Sequence, residues 1–420
     1  MYEAVLGQAD TRWLVIKRVR IQNFKSLQDV DVSLSPFTVL IGQNGAGKSS
    51  FLQALQVLSW LFQYASVNDA LIENDLTYNE LVHLRAGSKT IGWDVDITVP
   101  GMGEAGKDVR AVLKLAKRKH VHVSQEVIGP RQWFKNLLDA RVEFGAIRER
   151  RKMVAWDAGR NIIYENVTLP HSILLDARRQ PNRYPALSAI ADELAGFVHY
   201  EIWGPDFLRR SSEGGAGHLS ERGENLPSVL HSLRTKRPDR FTGLVCELQQ
   251  SYEWLDSIEI RKIGTRGFGL SFLEKATDRR RRRVRYAPSQ VSDGFLRLLA
   301  LTTLKYQREQ VSVVGYEEPE NGMHPAMLEE SVKRLRDVAA EGTQVIVTTH
   351  SPFMLQHLLA EREQQKVAEE LRLVWRGADG KTIIRPPSMK LLSDAREQGI
   401  GVGELWAMLL AEQQMAEQGE

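Results

Sequence analysis

Four short stretches of this chain hold residue types that could act together on a phosphate group. The first is Gly42-Gln43-Asn44-Gly45-Ala46-Gly47-Lys48-Ser49-Ser50, preceded by the apolar run Val39-Leu40-Ile41. Glycines at this spacing let successive backbone N–H groups turn inward, and a helix opening at Ser49 adds its positive end. Gly42, Asn44, Gly45, Ala46, Gly47 and Ser50 thus form a cradle for α- and β-phosphates. Lys48 is placed to reach the β- and γ-phosphates, and the Ser49 hydroxyl to take one position on Mg²⁺.

The second stretch, Glu317-Glu318-Pro319-Glu320, ends the apolar run 311–316. Carboxylates at the end of a buried strand are costly unless they meet a cation or polar ligand. Beside a phosphate loop, Glu317 can hold Mg²⁺, directly or through water, and Glu318 can orient and deprotonate an attacking water. The third stretch is Thr349-His350-Ser351-Pro352, where a histidine at a strand end suits a γ-phosphate contact. The other nine histidines show no ligand spacing on a helix; the His120/His122 pair lies on a strand, and all nine read as ordinary. The fourth stretch, Ser292-Asp293-Gly294, precedes an apolar helix from Phe295 to about Lys305. By itself it is an N-cap; with the acids that follow it becomes a second anion-binding helix end.

The elements that must position these groups are legible from periodicity. Alternation over 13–19 and 30–34 predicts two strands, with Asn23-Phe24-Lys25-Ser26 in the turn between them. Strict alternation in 91–99, then in 109–115 and 121–123, predicts an antiparallel meander that reaches 161–169. From about Tyr184 the period turns helical, through Leu187, Ile190, Leu194 and Phe197, then Leu226 to Leu233, then Leu244 to Leu255. The Gly- and Ser-rich segment 211–223 reads as a mobile loop, and 257–273 as two strands around Gly264 and Gly267. A hairpin over 371–375 and 382–384 and a tail helix from Glu404 to about Met415 follow, with Gly399 to Gly403 as a hinge. The expected organisation is an α/β chain. It comprises an N-terminal half over 1–170, an inserted mainly helical region over 171–256, a C-terminal half over 257–388 and a helical tail over 389–420.

Bulk properties exclude several classes. Fifty-six basic and 53 acidic residues leave a net charge of +3, so any basic surface is local. The run Arg279 to Arg283, with Arg285 beyond, is the one such feature. It reads either as a solvated hairpin tip or as a sequence-independent, salt-sensitive contact with nucleic acid. Cys246 is the single cysteine, which rules out an intrachain disulfide and a thiolate zinc site. Neither a secretory signal nor an apolar run of bilayer length is present, so a soluble, cytoplasmic chain is expected.

Taken in order, Asn23-Phe24-Lys25-Ser26, the glycine loop, Val291-Ser292-Asp293-Gly294, Tyr316-Glu317-Glu318-Pro319-Glu320-Asn321-Gly322-Met323-His324-Pro325 and Thr348-Thr349-His350-Ser351-Pro352 resemble RecF-like, SMC-related ABC ATPases. The likeness is to the bacterial group that includes the ATPase part of OLD-type phage-defence proteins. It covers the first hundred residues and about 284–356; the middle is matched loosely, by Leu219 to Leu226.

The resemblance implies a P-loop fold of ABC/SMC-head type with an antiparallel β lobe. It further implies a head-to-tail homodimer with two ATPs at its interface. Ser292, Asp293 and Gly294 of one copy would cap the γ-phosphate held by the other. Glu317 matches the Mg²⁺-linked position, Glu318 the catalytic base and His350 the switch histidine. Asn321, Gly322 and His324 match the loop that crosses the interface, and Gln125 is a candidate for the glutamine loop. About seventy residues follow His350, fewer than a separate catalytic domain ordinarily takes. The expectation is therefore an ATPase that controls a partner effector, a nuclease or toxin, in antiviral defence. The alternatives are a RecF-like DNA-repair ATPase and a nucleotide-gated scaffold with little hydrolysis. A transporter subunit is disfavoured by the long middle and the short signature.

Overall fold

In a computed structural model, the described residues are 16–83, 87–99, 107–117, 121–130, 144–149, 152–157, 160–165, 171–202, 204–213, 217–276, 283–307, 311–359, 364–397, 405, 407–409 and 411. The expected first strands form β1 (Ile16–Phe24) and β2 (Leu27–Ser33), an antiparallel pair. The all-apolar run before the glycine loop becomes β3 (Phe37–Ile41), buried on both faces. That is the pattern of a central parallel strand.

The meander runs through the span expected for it, its last strand ending at Glu165. It contains β4 (Ile91–Val99), β5 (Lys107–Lys117) and β6 (Val121–Pro130). It then adds β7 (Phe144–Glu149), β8 (Lys152–Asp157) and β9 (Arg160–Glu165). With β1 and β2 these make one eight-stranded antiparallel sheet in the order β2-β1-β4-β5-β6-β7-β8-β9. Its inner face covers the helix Lys48–Trp60, and Trp93 Nε1 donates to the Ala54 carbonyl at 3.0 Å.

The region 171–256 is helical in large part and also feeds the sheets. After the helices Ile173–Arg178 and Pro185–Ala195 it supplies β10 (Phe197–Tyr200) to the central sheet. Phe197, placed by its spacing on a helix, sits in that strand; a four-residue apolar run carries no period that separates the two. The segment read as a mobile loop contains β11 (Ser212–Glu213), and its Leu219 is fully buried. β11 pairs with β13 (Gly267–Glu274), which is flanked by β12 (Leu255–Ile263) and β14 (Arg285–Tyr286). Leu255 therefore opens a strand, where the spacing had extended the helix Pro238–Ser251.

The central sheet is completed by β15 (Val313–Glu317), β16 (Gln344–Thr349), β17 (Leu371–Arg376) and β18 (Thr382–Arg385). Its order is β10-β15-β16-β3-β17-β18, parallel except for the last strand. One face shares a core with the helix Lys48–Trp60 and the antiparallel lobe. The other packs on the helices Asp293–Tyr306 and Leu328–Ala340. Buried Gln344 joins the two sheets: its side chain exchanges hydrogen bonds with the Ile16 backbone at 2.9 and 2.8 Å. β3, β15 and β16 thus end side by side, which brings the glycine loop, both glutamates and His350 to one edge. This is the place where open parallel sheets bind ligands.

Candidate functional site

The glycine loop walls a cavity of about 760 Å³, within the usual range for a small-molecule site. Its lining includes Asn44, Gly45, Gly47, Lys48, Ser49, Ser50, Glu317 and Glu318. Gly47 has φ 110°, and a Cβ there would lie 2.2 Å from Thr382 Oγ1, so both conformation and space demand glycine. The helix that follows has no acidic residue in its first turn, which leaves its positive end uncompensated. Lys48 is buried and folded back on the loop, donating to the Gly42 and Gln43 carbonyls at 2.7 and 3.0 Å. Burial pulls its ammonium below the ordinary range, against the opposing charges of Glu318, Glu320 and Glu317. The turn between β1 and β2 reaches the same cavity through Lys25 and Ser26, so that motif is part of the site.

The two adjacent glutamates are held differently. Glu317 ends β15, is 3% exposed, and accepts from the Ser49 hydroxyl and from His199 Nε2, the latter at 3.1 Å. Burial pushes its carboxyl up, but the His199 and Ser49 hydrogen bonds and the nearby Lys48 charge outweigh burial and hold it below the ordinary range. Glu318 has φ 43°, a left-handed conformation unusual for a side-chain-bearing residue. Its carboxylate is gripped on both oxygens, by His350 Nδ1 at 3.0 Å and Asn321 Nδ2 at 2.8 Å. Ser49 and Glu317 offer the hard oxygen donors that suit Mg²⁺.

The fourth stretch lies elsewhere. Ser292 caps the helix Asp293–Tyr306, accepting from the Phe295 N–H at 3.2 Å. Ser292 and Asp293 are exposed, and Asp293 is paired with Arg209 at 2.7 Å. Neither they nor Gly294 line the phosphate-loop cavity of their own chain.

Four expectations need correcting or fall outside the described residues. Gln125 sits on β6 and lines a separate cavity with Gln22, Asn23 and Lys114, away from the glycine loop. It does not occupy a glutamine-loop position. His199, read as ordinary, is 5% exposed and contacts the carboxylate of Glu317. No spacing signal could have found it, because it comes from β10, whose place beside β15 is a matter of topology. Of the arginine run, 279–282 lie outside the described residues; Arg283 pairs with Asp256 at 3.4 Å and Arg285 with Glu259 at 2.8 Å. Tail residues 399–403 also lie outside them. Among the described residues no helix is long and apolar enough to cross a membrane.

Comparison with known proteins finds ATPase families and their relatives. The family model described as "AAA domain, putative AbiEii toxin, Type IV TA system" matches residues 210–355, and one described as "AAA ATPase domain" matches 15–85. The Old nuclease of Escherichia phage P2 is 25% identical over 370 residues, covering 80% of this chain and 56% of the relative. The OLD nuclease of Thermus scotoductus is 41% identical over 44 residues, 10% of this chain and 8% of the relative. The DNA replication and repair protein RecF of Haemophilus ducreyi is 29% identical over 107 residues, 24% of this chain and 30% of the relative. The chain thus spans little more than half of the phage relative and under a third of the other two. Among solved structures, an Smc head bound to the C-winged helix domain of ScpA is similar at TM-score 0.48 and 14% identity, covering 89% of this chain and 98% of that one.

In motif order and in its sequence matches the chain is similar to RecF-like ABC-type ATPases. Within that class the chain is related to the OLD proteins.

Proposed function

We propose that this chain hydrolyses ATP between two head-to-tail copies of itself and thereby controls an effector protein. The observation that carries the reading is the pairing of a finished and an unfinished end. Glu318 stands in the cavity already oriented by His350 and Asn321, while Ser292 and Asp293 stand exposed and Gly294 half-buried, all three off that cavity. A helix end aimed at phosphate gains little unless a second copy delivers it.

In this reading the loop N–H groups bind the α- and β-phosphates. Lys48 exchanges its two carbonyl partners for β- and γ-phosphate oxygens. Bound Mg²⁺, held by Ser49 and Glu317, would supply charge neutralisation on those oxygens. Glu318 accepts a proton from the attacking water as its oxygen bonds to the γ-phosphorus and the β–γ bridge breaks, giving ADP and phosphate. His350 holds Glu318 in place, and Ser292 with the Gly294 N–H of the second copy closes on the γ-phosphate. Turnover then releases the two copies from one another.

The nuclease and toxin–antitoxin names of the relatives support an effector partner and a role in antiviral defence. The RecF match over 107 residues favours a second reading, a DNA-repair ATPase whose duplex contact is the arginine run. Neutralising Arg279 to Arg283 then lowers duplex affinity and flattens its salt dependence; unchanged binding removes that reading.

Complementation tests the main proposal. Lys48→Ala and Ser292→Arg are each expected to be inactive alone. In an equal mixture half of the dimers are mixed, and one site in each is intact, so turnover recovers to about a quarter of wild type. A mixture as inactive as its components would show that the two motifs do not meet across copies.

A further inference from the structure

We propose that His199 is a direct ligand of the divalent cation that accompanies the nucleotide, oriented by Glu201, and that this nitrogen ligand favours first-row transition ions over Mg²⁺. The inference rests on the nucleotide site proposed above and adds a ligand to it.

Three observations carry it. His199 and Glu317 sit on adjacent parallel strands, with His199 in register with Gly315 and Tyr200 with Tyr316. Both side chains are buried, and the His199 backbone N–H is pinned by Gln56 Oε1 at 2.8 Å.

Next, both ring nitrogens face carboxylates: Nε2 lies 3.1 Å from Glu317 Oε2 and Nδ1 lies 3.4 Å from Glu201 Oε1. A neutral imidazole has one N–H and one lone pair. Without the ion Nε2–H serves Glu317; a cation between the two displaces that proton, and the tautomer with N–H on Nδ1, facing Glu201, leaves the Nε2 lone pair and the Glu317 oxygen to coordinate the ion together. An N–H on one ring nitrogen, directed to a carboxylate while the other binds metal, is the usual support of a metal-bound histidine.

The spacing agrees as well. Two ligands at about 2.1 Å from an octahedral ion, in neighbouring positions, lie about 3 Å apart. The Nε2 to Oε2 separation is 3.1 Å. Ligand atoms of His199, Glu201 and Glu317 all lie within 4.8 Å of one another. Imidazole suits transition ions better than Mg²⁺, which takes oxygen ligands.

Pulsed electron paramagnetic resonance on the full chain with Mn²⁺ and a methylene-bridged ATP analogue, which has no bridging nitrogen, tests this. Wild type should show both phosphorus couplings and an imidazole-nitrogen coupling to Mn²⁺. His199→Gln should keep the phosphorus couplings, lose the nitrogen one, and lower Mn²⁺ affinity relative to Mg²⁺ about tenfold. Glu201→Gln, which leaves the ligand in place, should keep the nitrogen coupling and weaken Mn²⁺ about tenfold. Phosphorus couplings without nitrogen in wild type would overturn the inference and leave the nucleotide site standing. Nitrogen without phosphorus would support the cation ligand and count against the nucleotide reading. Neither coupling would overturn both.

Discussion

At the phosphate-loop end each functional side chain is held by another: Lys48 by the loop carbonyls, Ser49 and His199 on Glu317, His350 and Asn321 on Glu318. At the signature end Ser292 and Asp293 are exposed, and an added Cβ on Gly294 would meet nothing within 4 Å. The first arrangement is a preorganised site, in which geometry is fixed before the ligand arrives. The second fits a surface that a second copy completes. Substitutions at the two ends should therefore separate chemistry, fold and pairing.

The largest separation is expected at Glu318. Glu318→Gln keeps the shape and, through its amide oxygen, the hydrogen bond from Asn321 but removes the base, so phosphate release should fall about 10²–10⁴-fold. Nucleotide affinity and ATP-dependent pairing should persist. If wild type and variant release phosphate equally slowly, the chain acts as a nucleotide-gated scaffold and its preorganised acid has no hydrolytic use.

The same glycine-to-alanine change made at each end sharpens the contrast. A Cβ on Gly42 would lie 1.9 Å from the Val374 carbonyl oxygen, a backbone atom that cannot step aside. Gly42→Ala must therefore push β3 and β17 apart, costing roughly 1–3 kcal/mol, visible as a lower melting temperature with or without nucleotide. Gly294→Ala has open space and should stay within about 0.5 kcal/mol of wild type in stability, while ATP-driven dimerisation weakens. Should Gly294→Ala leave dimerisation untouched, the exposed end is not an interface.

This asymmetry also explains how much could be read from the sequence. The glycine loop, the strand ending in two glutamates and the strand ending in His350 announce themselves because their chemistry is local. Each is an apolar run stopped by residues that cannot be buried unpaired. The alternation of Ile91 to Val99 likewise exposes the antiparallel lobe, since one face of that sheet is buried. What was not legible depends on tertiary neighbours. Phe197 to Tyr200 is too short to show a period, so its place beside β15 stayed hidden, and with it the reason for His199. Lys25 and Ser26 read as a turn, yet the fold carries that turn to the cavity. Gln125 shows the converse error: the residue type was right for a glutamine loop and the strand was wrong.

The smallest expected effect is at Glu320, where the well-held end carries one unmatched atom. Its Oε1 accepts from Thr349 Oγ1 at 2.5 Å and from the His350 N–H at 3.3 Å, but buried Oε2 has no hydrogen-bond partner among the described residues. Burial pushes the carboxyl above its ordinary range, and the bonds from Thr349 and His350 offset only part of this. The native state therefore holds this proton to higher pH than the unfolded chain does. The associated stability is complete below the unfolded carboxyl range, near pH 4, and is lost as pH rises through the elevated native value. Glu320→Gln replaces the ionisable group with a neutral one of the same shape. Its melting temperature should exceed that of wild type by roughly 1–3 °C at pH 8, and the difference should close toward pH 4. A variant that melts lower than wild type at pH 8 would show that ionised Glu320 contributes to the site. The left-handed turn at Glu318 and the orphaned oxygen two residues on would then both belong to a strand end kept under strain for the ligand it awaits.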